Sequence, residues 1–196
     1  MILTETRTGV KFVMIVGGGA TCRVYQAAAR RLGVKDKDLD RIGIAATNLN
    51  AEFVRSFFGA AAYQTVTNEF EKIVSTGKRI IVAKGGKPGA SSDLGAVRLA
   101  KKYGAAEVIN LTNIDGVYDR DPRKNSAAKK ISRISWKEYR KMIGHKWTPG
   151  LNAPFDPIAA REARAAKIRV VIIDGRNLET VRAALHGKKH SGTIIE

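Results

Sequence analysis

The most constraining feature of this chain is an apolar run that ends in three glycines and leads into a helical pattern, FVMIVGGGATCRVYQAAARRLG at residues 12–33. The run at 11–16 predicts a buried strand, and residues 20–33 predict a helix that Gly33 closes. Glycines between a strand and a helix let the backbone approach a bulky anion, and a helix N-terminus offers it free N–H groups. This turn therefore either holds a phosphate or is a tight corner of an α/β fold.

Strand-like and helix-like runs alternate along the rest of the sequence. Further strands are predicted at 78–86, 106–113, 168–174 and 192–196, and further helices at 49–59, 69–77, 91–104, 135–144, 156–167 and 177–187. Residues 42–47 fit a short strand or a helix start, and 145–157 form the best candidate for a loop. The last three helices have expected N-caps: Ser135 in a capping-box pattern with Glu138, Asp156 before Pro157, and Asn177. The alternation predicts a mostly parallel sheet with helices on both faces, a fold whose ligands lie at the carboxyl ends of strands.

The composition of the chain indicates which classes of protein it can belong to. A length of 196 residues with 44% hydrophobic residues predicts one domain of ordinary globular type. The apolar runs are too short to span a bilayer, residues 1–9 do not resemble a signal peptide, and a single cysteine is typical of a reducing compartment, so a cytoplasmic protein is expected. The net charge of +17 is scattered along the chain, which is typical of a solvated surface. A basic surface would also attract phosphorylated metabolites or nucleic acid, but no nucleic-acid motif is present.

The arginine that follows the glycine turn is a candidate for binding the same anion. Arg23 lies one turn into the predicted helix, and helical side chains lean toward the helix N-terminus, so its guanidinium is expected to reach an anion held at Gly17–Gly19. A surface arginine beside a tight corner is the alternative. The glycine spacing matches neither the dinucleotide fingerprint nor the Walker loop.

A second glycine loop, VAKGGKPGASSDLG at residues 82–95, also follows a strand and opens a helix. Ser91 and Ser92 are candidates for hydrogen bonds to a phosphate or a ribose. Asp93 either organises cations beside that phosphate or is a first-turn acid that the helix dipole favours. One of these three residues is expected to cap the helix.

Two further segments are expected to be loops with binding groups. In LTNIDGVYDRDPRKN, residues 111–125, Thr112 and Asn113 follow a strand, Tyr118 offers a flat ring, and Asp-Gly and Asp-Pro pairs mark turns. In DRIGIAATNLNAEF, residues 40–53, Asp40 is a candidate for binding paired ribose hydroxyls, with a solvated loop acid as the alternative.

Together these stretches resemble the amino-acid kinase superfamily, and within it the archaeal type of uridylate (UMP) kinase. The matching pieces are IVGGGATCR, DRIGIAATNLNAEF, GGKPGASSD, TNIDGVYDRDP, FDPIAA and the terminal GTIIE. The resemblance implies a three-layer αβα sandwich of the carbamate kinase-like type. It also implies transfer of the γ-phosphoryl group of ATP to UMP with Mg²⁺, in pyrimidine nucleotide synthesis, by a homo-oligomer, usually a hexamer.

The resemblance assigns roles residue by residue. Arg23 and Asp93 would be catalytic, and no residue of the chain is expected to be a metal ligand. UMP would be bound by Gly18, Asp40, Gly86, Lys87, Pro88, Gly89, Ala90, Ser91 and Ser92. ATP would be bound by Gly19, Arg23, Thr112, Asn113, Tyr118 and Asp121. A UMP-side lobe is expected at about 1–90 and an ATP-side lobe at about 91–196.

The sequence also departs from the family pattern. The family opens with a strand, a Gly-Gly-Ser type loop and a helix, whereas only ten residues precede the first predicted strand here, so a shortened N-terminus is expected. Ala20 stands for an expected Lys, Asn48 for an Arg and Gly86 for a Thr. An active UMP kinase, a catalytically weak nucleotide-binding subunit of regulatory or structural role, and a basic RNA-associated protein therefore all stay open.

Overall fold

A computed structural model describes residues 1–68, 71–144 and 153–196 of the chain. The described residues form two compact units, one up to Tyr103 and one from Gly104 onward. The predicted lobes are defined by the nucleotides they bind, so that division stays a prediction. Residues 145–152 of the predicted loop and the first two residues of the predicted helix at 69–77 lie outside the described part of the chain.

The first unit is built around a three-stranded parallel sheet. Its helices and strands are α1 (Ile2–Thr6), β1 (Phe12–Val16), α2 (Gly19–Arg31), α3 (Asp36–Phe58), a 3₁₀ turn (Gly59–Ala61), β2 (Thr67–Asn68), β3 (Ile80–Lys84) and α4 (Ser92–Tyr103). The strand order is β1-β3-β2, with Val16 opposite Lys84. Because the strands are parallel, β1 and β3 end side by side at one edge.

The core of this unit forms between α3 and the sheet. Its buried members include Ala51 of α3 and Ile80 and Val82 of β3, and Val16 and Phe58 pack against them. The predicted strand at 11–16 forms, but β1 is only partly buried, because it lies at the edge of the three-stranded sheet. Burial of β3 is complete except at its last residue, as expected for a central strand.

Helix α3 begins earlier than the helix expected at 49–59 and decides between the alternatives for residues 42–47. Residues 42–47 are helical, and Asp40 lies within a helix rather than in a loop. Phe58 packs against the core, whereas Phe53 and Phe57 are about three-quarters exposed, 74% and 75%. The left-handed Gly59, at φ 52°, ends the helix as predicted.

The helix expected at 69–77 is wrong for its described part, since residues 71–77 form no helix. Their backbone is bound by side chains of α4 instead: Val74 N–H donates to the Tyr103 hydroxyl at 3.0 Å, and Lys102 Nζ donates to the Glu71 carbonyl at 2.5 Å. Tertiary partners therefore replace the helical hydrogen bonds that local propensity favoured.

The second unit contains a four-stranded mixed sheet and a small hairpin. Its members are β4 (Glu107–Thr112), β5 (Val117–Tyr118), β6 (Lys130–Ile131), β7 (Arg133–Ile134), α5 (Trp136–Ile143), α6 (Pro157–Ala165), β8 (Arg169–Asp174), α7 (Leu178–Leu185) and β9 (Thr193–Ile195). The sheet order is β4-β8-β9-β7, and β5 pairs with β6. Only the β8–β9 pair of this sheet is antiparallel.

Local caps in the second unit follow the predictions closely. Ser135 and Glu138 form a capping box at α5, Asp156 caps α6 ahead of Pro157, and Asn177 caps α7. Deeper in the unit, the buried Tyr139 hydroxyl donates to the Phe155 carbonyl and accepts from the Phe155 N–H, both at 2.8 Å. This pair of bonds fixes α5 to the segment that opens α6.

Candidate functional site

The glycine turn between β1 and α2 has a defined backbone conformation. Gly18 is the N-cap of α2, and Gly19 adopts a left-handed φ of 56°, which favours glycine. Asn50 of α3 donates from Nδ2 to the carbonyls of Gly17 and Gly18, at 2.9 and 3.0 Å. The turn is therefore held by a side chain from a helix more than thirty residues away in sequence.

The second glycine loop lies directly beside the first. A Cβ built on Gly17 would lie 3.3 Å from Ser92 Oγ at the start of α4, so the end of β1 and the start of this helix are in close contact. Ser91 caps that helix, because its Oγ accepts the Leu94 N–H at 3.0 Å. Two helix N-termini thus open at the same edge of the parallel sheet, where their first amides have no intrahelical partner.

Asp40 joins this group from α3. Its Oδ2 accepts the Gly89 N–H at 2.5 Å, so the carboxylate lies against the loop 86–92. Asp40 is half-buried and Gly89 is exposed, which leaves the pair accessible. The structure therefore brings together, in the first unit, the glycine turn, Asp40 and the second glycine loop, which contain the residues that the resemblance assigned to UMP; Gly19 of the same turn was assigned to ATP.

Arg23 lies on the exposed side of α2 near these groups. The pKa of the neighbouring Cys22 thiol is raised, mainly because the thiol is partly buried. The positive charge of Arg23 acts to lower this pKa, and the negative charge of Asp40 acts to raise it. A guanidinium and a carboxylate therefore both act on the first turn of α2. Cys22 itself packs against Gly18, where a Cβ would lie 2.5 Å from the Cys22 Cβ.

Lys84, Asn48 and Asn50 lie at this edge but outside the binding set that the resemblance assigns. Lys84 Nζ, at the end of β3, donates to Asn48 Oδ1 at 2.8 Å. The ammonium of Lys84 is therefore anchored at the position where the family pattern has an arginine. All three residues lie in motifs that were recognised, but their partners lie 32 to 36 residues away, so their contacts carry no local signal.

The second unit has its own edge where strands end. Thr112 of β4 is opposite Asp174 of β8, and the two strands are parallel. The Gly175 N–H donates to the Thr112 carbonyl at 2.9 Å, and the Arg176 guanidinium donates to the Asn113 carbonyl at 3.3 Å. Thr112 and Asn113 are thus fixed by the turn that follows β8.

Arg176 also forms an ion pair with Asp174 at 2.7 Å. Hydrogen bonds from its side chain, followed by one from its backbone N–H, lower the pKa of Asp174 to about 2. Asp174 is therefore a permanent anion at neutral pH. Arg176 is the corresponding cation, and Asp174 raises the pKa of its guanidinium.

Tyr118 belongs to a compact polar network on the β5–β6 hairpin. Its hydroxyl donates to Asp115 Oδ1 at 2.9 Å, and Lys130 Nζ donates to Asp115 Oδ2 at 2.9 Å. Burial alone would raise the pKa of Asp115, but the bonds from Lys130 and Tyr118 lower it, while the bond to Asp115 raises the pKa of the Tyr118 phenol. The ring of Tyr118 is thereby held in one orientation.

The buried Thr193 of β9 ties this hairpin to the sheet. Its Oγ1 accepts the Val117 N–H at 2.7 Å and donates to the Ile131 carbonyl at 2.5 Å. Gly116, at φ 151°, lies so close that a Cβ there would be 2.8 Å from the same hydroxyl. Tyr118 therefore depends on a contact that only glycine at position 116 permits.

Asp121 is part of the predicted Asp-Pro turn rather than of the Tyr118 network. Its Oδ1 accepts the Arg123 N–H at 3.0 Å and the Arg123 guanidinium at 3.3 Å. The backbone bond from Arg123 is the main cause of its lowered pKa. Asp121 is therefore an ionised, partly exposed group at a rigid turn.

Residues 1–68, 71–144 and 153–196 contain neither a metal-binding cluster of acidic, His or Cys side chains nor a helix that could cross a membrane. No group of three or more His, Cys, Asp or Glu side chains there is arranged to hold a metal ion by itself. None of the helices in that part of the chain combines the length and the apolarity that crossing a bilayer requires.

Comparisons with known proteins point in one direction. The model of the amino acid kinase family matches residues 2–174. The uridylate kinase of Methanocorpusculum labreanum is 32% identical over 99% of this chain and 84% of its own length. That of Methanobrevibacter smithii is 35% identical over 99% of this chain and 88% of its own.

Solved structures agree with these relatives. Uridylate kinase from Archaeoglobus fulgidus superposes with a TM-score of 0.84 at 33% identity, covering 99% of this chain and 88% of that one. UMP kinase from Bacillus anthracis has a TM-score of 0.74 at 20% identity, covering 100% of this chain and 83% of that one, a likeness of fold alone.

Proposed function

The chain belongs to the amino acid kinase family, and we propose that it transfers the γ-phosphoryl group of ATP to UMP, giving UDP for pyrimidine nucleotide synthesis. The observation that carries this proposal is the contact between the two glycine loops of the first unit, with Asp40 bound to Gly89 beside them. Backbone amides at such a place bind phosphate, and a neighbouring carboxylate binds hydroxyls, which together are the groups of a nucleoside monophosphate.

On the UMP side, Gly18 and the segment Gly86–Ser92 line the phosphate and the base, and Asp40 accepts from the ribose hydroxyls. Asp40 already accepts the Gly89 N–H, so its carboxylate is oriented before UMP arrives. A carboxylate has lone pairs for several donors, and it therefore binds a ribose without giving up the loop.

On the ATP side, Thr112 and Asn113 offer polar groups at the end of β4, Tyr118 offers its ring to the adenine, and Asp121 accepts from the ribose. Support comes from the rigidity of these groups: the phenol of Tyr118 is fixed by Asp115, and Asp121 is fixed by Arg123. Pre-oriented groups lose less conformational entropy when the nucleotide binds.

Arg23 and Asp93 are assigned to the chemical step, with Gly19 at the transferring phosphate. Phosphoryl transfer requires positioning and charge neutralisation more than covalent catalysis. Arg23 supplies a cation on α2, and Asp93, in the first turn of α4, orders the cations around the phosphates. Mg²⁺, when bound with ATP, would neutralise phosphate charge, and no residue of the chain is assigned to it as a ligand.

We also propose a homo-oligomer, a hexamer by family resemblance, in the cytoplasm. Leu49, Phe53 and Phe57 follow one another at four-residue spacing on α3 and are 62%, 74% and 75% exposed. Three large apolar side chains on one helix face form a patch that a second copy of the chain would cover.

The test is UDP formation by the purified chain from UMP, ATP and Mg²⁺, followed by chromatography of the nucleotides. We expect turnover with UMP to exceed turnover with CMP or AMP by more than tenfold, because binding of the correct base positions the phosphate. Omitting UMP is the blank. If UMP raises the melting temperature while no UDP forms, the kinase proposal is wrong and the chain is a nucleotide-binding protein.

A further inference from the structure

We propose that Asn50 is a positioning residue, one that holds the Gly17–Gly19 turn in its anion-binding conformation. The proposal rests on the function above, in which this turn faces a nucleotide phosphate. Its basis is the double hydrogen bond from Asn50 Nδ2 to the carbonyls of Gly17 and Gly18, at 2.9 and 3.0 Å. Asn50 is not a member of the assigned binding set, and both of these bonds go to backbone oxygens of the turn.

The planarity of the peptide group turns this contact into an effect on binding. The carbonyl of Gly17 and the N–H of Gly18 belong to one trans peptide unit and point in opposite directions. The same holds for the carbonyl of Gly18 and the N–H of Gly19. By holding both carbonyls, Asn50 therefore directs both N–H groups away from α3.

These two N–H groups lie where α2 begins. Gly18 is its N-cap and Gly19 its first residue, so neither amide has an acceptor within the helix. The Gly18 carbonyl also accepts the Cys22 N–H at 2.9 Å, which ties the first helical hydrogen bond to the same clamp. Asn50 thus sets the direction of two donors at the positive end of the α2 dipole.

A clamp is needed here because glycine does not hold a conformation by itself. Three consecutive glycines have more accessible backbone states than any other tripeptide, and Gly19 is left-handed at φ 56°. A side chain amide that faces two carbonyls must present its nitrogen, so the acceptors also fix which way the Asn50 amide is turned. One residue therefore selects one state of the turn.

The matched control is Gln26, a second amide of the first unit that bonds to a backbone carbonyl. The buried Gln26 donates from Nε2 to the Leu39 carbonyl at 2.9 Å, so it joins α2 to α3 at the peptide that precedes Asp40 and not at the carbonyls of the glycine turn. Gln26→Ala removes one buried amide–carbonyl bond without touching the glycine carbonyls. A general loss of helix packing will therefore appear in Gln26→Ala as well as in Asn50→Ala.

Asn50→Asp tests the hydrogen-bond role separately, because it should make kcat depend on pH in a way that a loss of packing alone would not. An ionised carboxylate has no donor and would face two carbonyl oxygens, whereas a protonated one regains a single O–H donor. We expect Asn50→Ala to lower kcat by roughly 10- to 100-fold, less than the direct loss of a phosphate donor. Asn50→Asp is expected to be worse at pH 8 and to recover partly toward pH 5.5, relative to wild type.

The experiment measures kcat and KM for wild type, Asn50→Ala, Asn50→Asp and Gln26→Ala, each at the same folded fraction, between pH 5.5 and 8. In parallel, ¹⁵N-glycine spectra follow the amide signals of Gly18 and Gly19 as UMP or pyrophosphate is added. Support requires a loss of kcat in the Asn50 variants, a pH-dependent recovery for Asn50→Asp, and altered glycine amide responses.

The proposal is overturned if Gln26→Ala lowers kcat as much as Asn50→Ala, or if Asn50→Asp shows the wild-type pH profile. Failure of the kinase assignment is recognised separately, because wild type itself would then form no UDP. In that case the spectra still decide on Asn50: unchanged Gly18 and Gly19 responses to pyrophosphate in Asn50→Ala contradict the proposal.

Discussion

The strand ends of the two units are organised by opposite means. In the first unit, glycines let backbone segments touch, as at Gly17 beside Ser92, and side chains bind backbone atoms, as Asn50 does. In the second unit, ion pairs of carboxylates take this place: Asp115 pairs with Lys130 at 2.9 Å, and Asp174 pairs with Arg176 at 2.7 Å. One edge thus consists mainly of amides and the other of ion pairs.

This difference matches what each edge is proposed to bind. Backbone amides and an exposed arginine suit a phosphate, which unpaired carboxylates would repel. Carboxylates and hydroxyls suit a ribose and a base, whose donors need acceptors. The division of labour therefore predicts that variants in the first unit change the handling of UMP and the rate of transfer, whereas variants in the second change the binding of ATP.

Replacing Arg23 would test this division most severely. We expect Arg23→Ala to lower kcat by about 10²- to 10³-fold, because a positioned cation stabilises the charge that develops on the transferred phosphoryl group. Steady-state kinetics with UMP and ATP measure the effect. Arg31→Ala, at an exposed position in the last turn of the same helix, is the control and is expected to stay within twofold of wild type. Equal losses in both variants would assign the effect to net charge instead.

Gly116→Ala is the corresponding test of the second unit. The new Cβ would lie 2.8 Å from Thr193 Oγ1 on a backbone with φ 151°, so the hairpin that carries Tyr118 must shift. We expect KM for ATP to rise about tenfold and stability to fall by roughly 2–3 kcal/mol, with KM for UMP unchanged.

Gly104→Ala is the control that measures backbone strain without a steric clash. Position 104 also has a left-handed φ, 69°, but no atom would lie within 4 Å of the new Cβ. It should cost about 1 kcal/mol and leave both KM values at wild type. If Gly116→Ala raised KM for UMP instead, the contrast between the units would be wrong.

Asp40→Asn refines the comparison inside the first unit, since Asp40 is a carboxylate at the amide-rich edge. An amide accepts fewer bonds than a carboxylate and presents two donors, so we expect KM for UMP to rise about tenfold with little change in KM for ATP. Initial rates at varied UMP measure it. Asp38→Asn, which removes an exposed partner of Arg41 on the same helix, is the control and should change neither KM.

Local chemistry explains which parts of the structure were predictable. The caps of α5, α6 and α7 were predicted because each lies within three residues of its partner, and the buried strands because apolar runs mark them. Asp40 was misplaced in a loop because Gly43 looks like a helix break. Gly43 is instead a packing contact, where a Cβ would lie 3.1 Å from Gln26 Nε2 of α2.

What could not be predicted depends on partners distant in sequence. Asn50 binds residues 32 and 33 positions away, and Val74 is held by Tyr103, 29 positions away. Neither contact leaves a periodic or compositional trace. The strands β5 to β7 have two residues each, which is too short for an alternation to be recognised.

Acid titration provides the mildest test, because it acts on the ion pairs of the second unit. Arg176 lowers the pKa of Asp174 to about 2, so its contribution to stability is present above the unfolded-state pKa near 3.9 and is lost as the pH falls toward 2. We expect Asp174→Asn to lower the melting temperature slightly and equally from pH 5 to 8. The difference in melting temperature between Asp174→Asn and wild type should disappear below pH 4.

This difference should also shrink at high salt, because Asp174 and Arg176 are solvent-screened. Differential scanning calorimetry across this pH range measures it, and Asp38→Asn again serves as the control for removing an exposed carboxylate. A difference that instead widened as the pH fell would mean that protonation, not ionisation, of Asp174 stabilises the turn after β8. The carboxylates of the second unit would then not form the ion-pair framework on which the comparison with the amide-rich edge depends.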